Sequence, residues 1–362
     1  MTQNKQVKTV FTKGAFDLIH AGHMRYLTKA KSLGNKLVVG VVSDTSRKRV
    51  KGKKPIIPEH LRRETIEGFK QVDEAILIQE DNLLKTLKKL KPDILFTIET
   101  NIKSGVIDSK ITDFIKSYGG KVVVQAQTKP YFTVKHMVDR LAKLKIKQYI
   151  ERSLGTLILR SKPQDKLTQT NKPGFQNLIS FPQVDAIESQ KHIGVAKSVL
   201  LSDLIQLREM ATRQNKKIVF TSGSFDILHI GHIRYLQNAQ KKGDVLVVGV
   251  ASNTNIRKHK GEGRPVIDEE SRAMLINFVK GVDYTVIYED VLVVLQLLKP
   301  DILWTPKEDW NNAKTSKEGR YILGLGGQVI EAPKGSDEIS ASKIIYNLAG
   351  KKVKKIFKRL LE

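Results

Sequence analysis

Lys217-Ile-Val-Phe-Thr-Ser-Gly223-Ser-Phe-Asp226-Ile-Leu-His229-Ile-Gly231-His232-Ile-Arg-Tyr235 decides the fold, and the chain contains this stretch twice. The earlier copy reads Lys8-Thr-Val-Phe-Thr-Lys-Gly14-Ala-Phe-Asp17-Leu-Ile-His20-Ala-Gly22-His23-Met-Arg-Tyr26. The apolar run Ile218–Phe220 predicts a buried strand that stops at a glycine. Gly223 and Gly231 bracket a turn where backbone can come close to a ligand. A helix follows from Ile230 or Gly231, with Ile233, Leu236 and Ala239 or Gln240 at helical spacing. Its free N–H groups and positive end form an anion site. His229 and His232 sit three apart in its first turn, where both rings can reach the same anion. Imidazole donates to phosphate oxygens and can carry charge near neutral pH.

The string Gly-x-Phe-Asp-x-x-His-x-Gly-His resembles the signature of the cytidylyltransferase-like nucleotidyltransferases. His-x-Gly-His alone is weak. The longer string, twice in one strand-to-helix context, makes a pair of ordinary core histidines the poorer reading.

Composition sets the outer bounds. A chain of 362 residues fits two or three domains of ~150 residues. Its 40% hydrophobic and 28% charged residues place it among soluble globular chains. The absence of cysteine excludes disulfides, thiolate catalysis and cysteine-ligated zinc. A polar start leads straight into the first strand and no apolar run is long enough to cross a membrane, so a cytoplasmic protein is expected. The formal charge of +26 would attract polyanions. Its lysines are scattered through both halves, however, and nucleotide substrates also favour a positive protein. Nucleic acid and membrane are therefore not the expected partners. The basic amphipathic tail, residues 351–362, is expected to pack on the sheet rather than dock on a membrane surface.

The repeat runs beyond the signature. Lys36–Val42 and Asp244–Ala251 match as apolar strands of the kind buried on both faces. Each leads to a basic glycine-bearing loop, residues 48–55 and 258–265. A helix with Arg62 or Arg272 comes next, then strands from Val72 or Val282, from Lys91 or Lys299, and from Gly119 or Gly326. Each half is thus an alternating β/α unit, which predicts an open parallel sheet with helices on both faces. The fold class is α/β, as two tandem Rossmann-like nucleotidyltransferase domains. Residues 1–145 form a partly degenerate copy, 146–198 a polar, proline-bearing linker, and 199–362 the catalytic copy. Ligands of such sheets sit at the carboxyl ends of the strands, near the switch point. The segment 200–362, with its lead-in helix Leu200–Arg213, is similar to heptose-phosphate adenylyltransferases. A bare tandem pair is similar to ethanolamine-phosphate cytidylyltransferases.

What the resemblance implies can be stated residue by residue. A phosphate oxygen of the acceptor attacks the α-phosphorus of a nucleoside triphosphate, and pyrophosphate leaves. Such catalysis rests on positioning and electrostatic stabilisation. His229 and His232 would serve the triphosphate and transition state, with Gly223, Ser224, Phe225, Asp226 and Gly231 forming the turn. Lys258 and Lys260 would bracket the phosphates, and Arg272 would hold the acceptor phosphate with its fork of donors. Asp309 and Trp310 resemble an Asp-Trp pair of glycerol-phosphate cytidylyltransferases near base and metal. Ser340 and Ser342 resemble the motif that opens the family's final helix, where Ser340 is a natural N-cap. Mg²⁺ is expected because the triphosphate needs charge neutralisation, with no metal ligand visible in the sequence. The second copy departs from the family pattern at Ala341, at Lys334, which is the nearest cation in place of an arginine, and at Asn253, where many relatives carry aspartate.

The first copy keeps Gly14, Phe16, Asp17, His20, His23, Lys51 and Arg62 as a weaker nucleotide site. Its closing motif, residues 131–137, retains one hydroxyl in place of two. The partners expected are an NTP, either ATP or CTP, and a phosphorylated sugar or alcohol. The assembly expected is a homodimer or a pseudo-dimer of the two halves. Two further readings stay open: a CTP-dependent phosphoethanolamine or glycerol-phosphate cytidylyltransferase, and a non-catalytic nucleotide sensor. A tRNA-charging enzyme shares His-Ile-Gly-His, but neither a Lys-Met-Ser-Lys-Ser-like loop nor an anticodon domain is visible.

Overall fold

The computed structural model describes residues 7–126, 197–261, 264–307, 312–333, 340 and 344. The first half runs β1 (Thr9–Gly14), α1 (Ala21–Lys31), β2 (Lys36–Val42), α2 (Asp44–Lys51), α3 (Glu59–Glu67) and β3 (Glu74–Ile78). It continues with α4 (Leu83–Leu90), β4 (Ile94–Ile98), α5 (Glu99–Lys103), α6 (Ser109–Ser117) and β5 (Lys121–Gln125). The second half opens with β6 (Lys197–Ser198) and α7 (Asp203–Arg213), then β7 (Ile218–Gly223), α8 (Ile230–Gln240), β8 (Val245–Ala251), α9 (Asn253–Lys260) and α10 (Glu269–Asn277). It closes with β9 (Tyr284–Tyr288), α11 (Val291–Leu298), β10 (Ile302–Pro306), α12 (Lys317–Gly324) and β11 (Gln328–Ala332).

Both sheets are wholly parallel. Their orders are β3-β2-β1-β4-β5 and β11-β10-β7-β8-β9-β6, the same wind plus one extra edge strand. That strand corrects the sequence reading at one boundary. Lys197 and Ser198, expected in the linker, pair with Tyr284 and Thr285 of β9. The rest of the linker and the basic tail lie outside the described residues. The apolar runs form the strands because both faces are covered; Leu37–Val39 and Leu246–Val248 are buried.

The switch point lies between β1 and β4, and between β7 and β10. There the ladder is short: only Val10↔Ile94 and Phe11↔Leu95 pair, and only Val219↔Ile302 and Phe220↔Leu303. Past those rungs the strands part, which opens a crevice at their carboxyl ends. A tyrosine from the helix spans it. The Tyr235 hydroxyl bonds Thr221 Oγ1 at 2.9 Å and donates to the Trp304 carbonyl at 3.1 Å. In the first half Tyr26 bonds Thr12 and the Phe96 carbonyl in the same way. The helix that follows each glycine turn is thereby fixed to both strands of the crevice.

The two halves share one apolar core, with Phe69 and Ile66 beside Ile233, Phe278 and Val279. Their backbone contacts are reciprocal. Phe69 bridges Val279 antiparallel; the Lys70 amide donates to the Phe278 carbonyl and the Lys280 amide to the Gly68 carbonyl, each at 2.9 Å. The Lys70 ammonium reaches the Val282 carbonyl and that of Lys280 the Glu67 carbonyl. Burial lowers the Lys70 amine to about 8, with Asp283 opposing the shift. Among the described residues no helix is long and apolar enough to cross a membrane.

Tyr235→Phe removes both bridging bonds from a buried position. We expect it to lower the free energy of unfolding by about 1–2 kcal/mol, read by urea denaturation. An unchanged midpoint would show that the hydroxyl is not a bridge.

Candidate functional site

The glycine turn is shaped by a strained residue. Phe16 and Phe225 follow their glycines by two positions and lie in the left-handed region, at φ 48° and 45°. Such a conformation in a bulky residue costs on the order of 1–3 kcal/mol and persists only where its surroundings impose it. It folds the ring back under the glycine. A Cβ at Gly14 would lie 2.8 Å from the Phe16 ring, and one at Gly223 3.1 Å from that of Phe225. Each ring meets the second histidine edge-on, with centroids 5.4 Å apart in both halves.

The helix then begins on the first histidine. His20 and His229 are the N-cap residues of α1 and α8, in extended backbone, and no side chain caps either helix. The second histidine falls in the same first turn, and the two rings stack. Centroids lie 3.9 Å apart at 30° for His20 and His23, and 3.9 Å apart at 27° for His229 and His232. All four Nδ1 atoms are buried without a hydrogen-bond partner. Burial lowers His20 and His229 to about 4. It drives His23 and His232 well below the usual value, with the neighbouring imidazole, and Lys260 in the second half, pushing the same way. The sequence reading allowed a charged imidazole at neutral pH. The resting site instead holds neutral rings, and an arriving anion favours the charged form.

The basic segment corrects a second expectation. Residues 258–260 read as loop but form the last turn of α9, and Lys48 and Lys51 end α2. Four basic residues, Arg257, Lys258, His259 and Lys260, complement the negative helix end. Lys260 Nζ donates to Ser224 Oγ at 2.9 Å, which closes the site over the glycine turn. Lys258 and Lys51 are exposed.

Arg272 is where the structure departs furthest from the resemblance. It is fully buried. Its guanidinium donates to the Ile267 carbonyl (2.9 Å), the Ser224 carbonyl (2.7 Å) and Asn253 Oδ1 (3.0 Å). Arg62 does the same with the carbonyls of Ile57, Ala15 and Val42 and with Asp44. An arginine engaged on every nitrogen is a clamp and presents no free fork to an acceptor phosphate. Asn253, a departure from the family's aspartate, keeps the bond to Arg272 while lacking the charge that Asp44 offers Arg62. Asp17 and Asp226 are clamps as well. Asp226 Oδ1 accepts from the Val266 and Ile267 amides at 2.6 and 3.0 Å, Asp17 Oδ1 from Ile56 and Ile57 at 2.8 and 2.9 Å. Burial raises the Asp17 carboxyl, and those two amide bonds oppose it. Arg264, which the sequence placed in the basic loop without a role of its own, pairs with Asp226 at 3.2 Å.

The copies differ beside the turn. The strand position before the glycine is Lys13 in the first half, buried and paired with Glu80 at 2.5 Å. The corresponding positions of the second half hold Ser222 and Asp290. Burial lowers the Lys13 amine, and the Glu80 charge opposes that. Of the closing motif only Ser340 and Ile344 are described; the Ile344 amide donates to the Ser340 carbonyl at 3.0 Å, as in a first helical turn. Asp309, Trp310, Ser342, Lys334, Ala341 and residues 131–137 lie outside the described residues. Among the described residues no group of three or more His, Asp or Glu is placed to hold a metal ion. The donors that converge are imidazole and ammonium, which do not suit a hard cation.

Two predictions test these assignments. Unfolding free energy should fall as pH drops from 6.5 towards 4, because the unfolded imidazoles take up protons that the buried ones do not. Each such histidine contributes a slope of up to about 1.4 kcal/mol per pH unit. His229→Asn should flatten that slope in urea titrations across the window; an unaltered slope would mean that the ring is not held neutral. Arg272→Lys should cost about 3 kcal/mol of stability, since a single nitrogen cannot reach acceptors that three separate guanidinium nitrogens now meet. Intact stability with a raised KM for the acceptor would instead make Arg272 a substrate ligand.

The cytidylyltransferase-like family model matches residues 11–154 and 220–347. The chain is 36% identical over 165 residues to the bifunctional protein HldE of Desulfatibacillum aliphaticivorans, covering 42% of this chain and 31% of that protein. It is 44% identical over 151 residues to the bifunctional protein HldE of Helicobacter pylori strain J99, covering 40% and 31%. The chain thus spans about a third of the length of these curated relatives. Among solved structures, a lipopolysaccharide core biosynthesis protein from Thermoplasma volcanium GSS1 is 34% identical over 34% of this chain and 98% of that one, with a TM-score of 0.30. With the family matched in both halves over the glycine turn and the histidine helix, the chain belongs to the cytidylyltransferase-like family.

Proposed function

We propose that the second half transfers AMP from ATP to a phosphorylated sugar. The lean toward ATP and a sugar phosphate rests on the likeness of residues 200–362 to heptose-phosphate adenylyltransferases. CMP transfer from CTP to phosphoethanolamine or glycerol phosphate is the second reading, favoured by the tandem arrangement. An oxygen of the acceptor phosphate attacks the α-phosphorus; the bond to the bridging oxygen of the β-phosphate breaks, and pyrophosphate leaves.

One observation carries the reading: two stacked, neutral imidazoles at an uncapped helix start, each with an orphaned nitrogen. Neutral rings donate hydrogen bonds to phosphate oxygens, and they gain proton affinity as negative charge builds on the transition state. Lys260, held at Ser224, adds a point charge on the other side of the turn. Arg272, Asp226 and Phe225 hold this frame still. Mg²⁺ would enter with the triphosphate, neutralising charge on its oxygens. The first half keeps the same imidazole pair, and its Lys13–Glu80 pair would suit it to a different acceptor.

The test is pyrophosphate release by the whole chain with Mg²⁺, crossing ATP, CTP, GTP and UTP with heptose 1-phosphate, other sugar phosphates, glycerol 3-phosphate and phosphoethanolamine. One pair should turn over. His229→Ala should lower kcat by about 100-fold or more, and Lys260→Ala should raise KM at unchanged Tm, while His20→Ala should keep turnover. Loss in His20→Ala with retention in His229→Ala would move the active site to the first half. Silence across the panel, with nucleotide still bound, would make the protein a sensor.

A further inference from the structure

We infer that Glu64, a residue of the first half, is a positioning residue for the histidine site of the second. The inference rests on the reading of the second half as the active one. Arg234 lies on α8, two residues past His232. Its Nε and Nη2 donate to Glu64 Oε1 and Oε2, both at 2.6 Å, in a two-pronged pair. Such a pair fixes orientation as well as distance, because both planar groups must align. Beside it the helices touch closely: a Cβ at Gly68 would sit 2.6 Å from Ile233 Cγ2. Ile233, the next residue after His232, is buried. The first turn of α8 is therefore held on one side by its own half, through Tyr235, and on the other by α3 of the opposite half.

The residue at this contact differs between the halves. Helices α1 and α10 make the equivalent approach, and the position matching Glu64 there is Met274. The Glu64–Arg234 pair braces the half whose site is proposed to turn over. Glu64 also shares α3 with Arg62, two residues earlier, whose guanidinium holds the first glycine turn through Ala15. One short helix thus touches the frame of both sites.

The Glu64–Arg234 pair is about a third exposed, so its removal should shift Tm by no more than about 3 °C. Misplacing a reacting group by a fraction of an ångström costs far more in rate than in stability. We expect Glu64→Ala, and more mildly Glu64→Gln, to lower kcat for pyrophosphate release roughly ten-fold with KM for the nucleotide within about two-fold. The reversed pair, Glu64→Arg with Arg234→Glu, should recover most of the loss. Ring resonances of His229 and His232 in histidine-labelled protein should move in Glu64→Ala, with those of His20 and His23 unmoved. Unchanged kcat with unmoved rings would overturn the inference, as would a loss that follows Tm and is not recovered by the reversed pair. If the wild-type chain turns over no substrate, the proposed function fails, while the ring resonances still decide whether Glu64 positions the site.

Discussion

Arg62 and Arg272 are charged, fully buried and engaged on every nitrogen. Burying such an ion carries a penalty of several kcal/mol that only good geometry offsets. Each guanidinium meets that condition by donating to acceptors in three segments at once: the glycine turn, the strand end or helix start beside β2 and β8, and the loop before its own helix. Ser224 and Ile267 are far apart in sequence, and without the guanidinium their carbonyls would be left unpaired next to the site. The strained Phe225 sits one residue beyond Ser224. Its left-handed backbone is tolerated because the carbonyl before it is held by Arg272 and the carboxylate after it, Asp226, is held by two amides. The edge-on contact with His232 follows from that conformation, so the buried clamp ultimately sets where the second imidazole stands.

Much of this was legible in sequence, for physical reasons. Parallel strands buried on both faces read as unbroken apolar runs, and the repeat of strand, glycine and helix appeared twice in the same order. The imidazole pair was legible because a spacing of three in a first helical turn leaves little choice of geometry. What the letters could not say was where each polar side chain would find its partner. Arginine suits a phosphate and a set of carbonyls equally well, since both ask for a fork of donors. Only burial separates the two, and burial depends on loops that close over Arg272 from elsewhere. Lys258 and Lys260 read as loop because Gly261 follows them; in the fold α9 continues to Lys260 before the glycine ends it. The two-residue strand β6 lacks the length to show a period. The Glu64–Arg234 pair joins residues 170 apart on separate repeats, a distance over which no local pattern operates.

Duplication lets each half serve as a control for the other. The glycine turn, the left-handed phenylalanine, the stacked imidazoles and the Thr–Tyr–carbonyl bridge recur with nearly the same geometry. These are the parts that any ligand of the turn would need, because they define the backbone and ring positions. The copies part company around the frame: Lys13 and Glu80 against Ser222 and Asp290, Asp44 against Asn253, Glu64 against Met274. Charge is rearranged where the backbone stays fixed. A buried Lys13–Glu80 pair is costly to split, as Lys13 alone would be an uncompensated buried charge. It therefore constrains what can approach the first turn more firmly than a serine hydroxyl does at the second.

Joining the copies in one chain frees their contact surface from having to be self-complementary. Two identical subunits about a twofold axis must place the same residue on both sides of every contact. Here the backbone bonds at the centre still obey that rule, with Lys70 to Phe278 matched by Lys280 to Gly68. Away from the centre they need not, and the Glu64 side has drifted from the Met274 side. A carboxylate on one helix and a thioether on its counterpart give the two histidine helices different restraints from nearly symmetric backbones. One half can then be tuned for turnover while the other keeps the same imidazoles in a differently charged pocket. In an obligate homodimer, any substitution at that contact would alter both sites together.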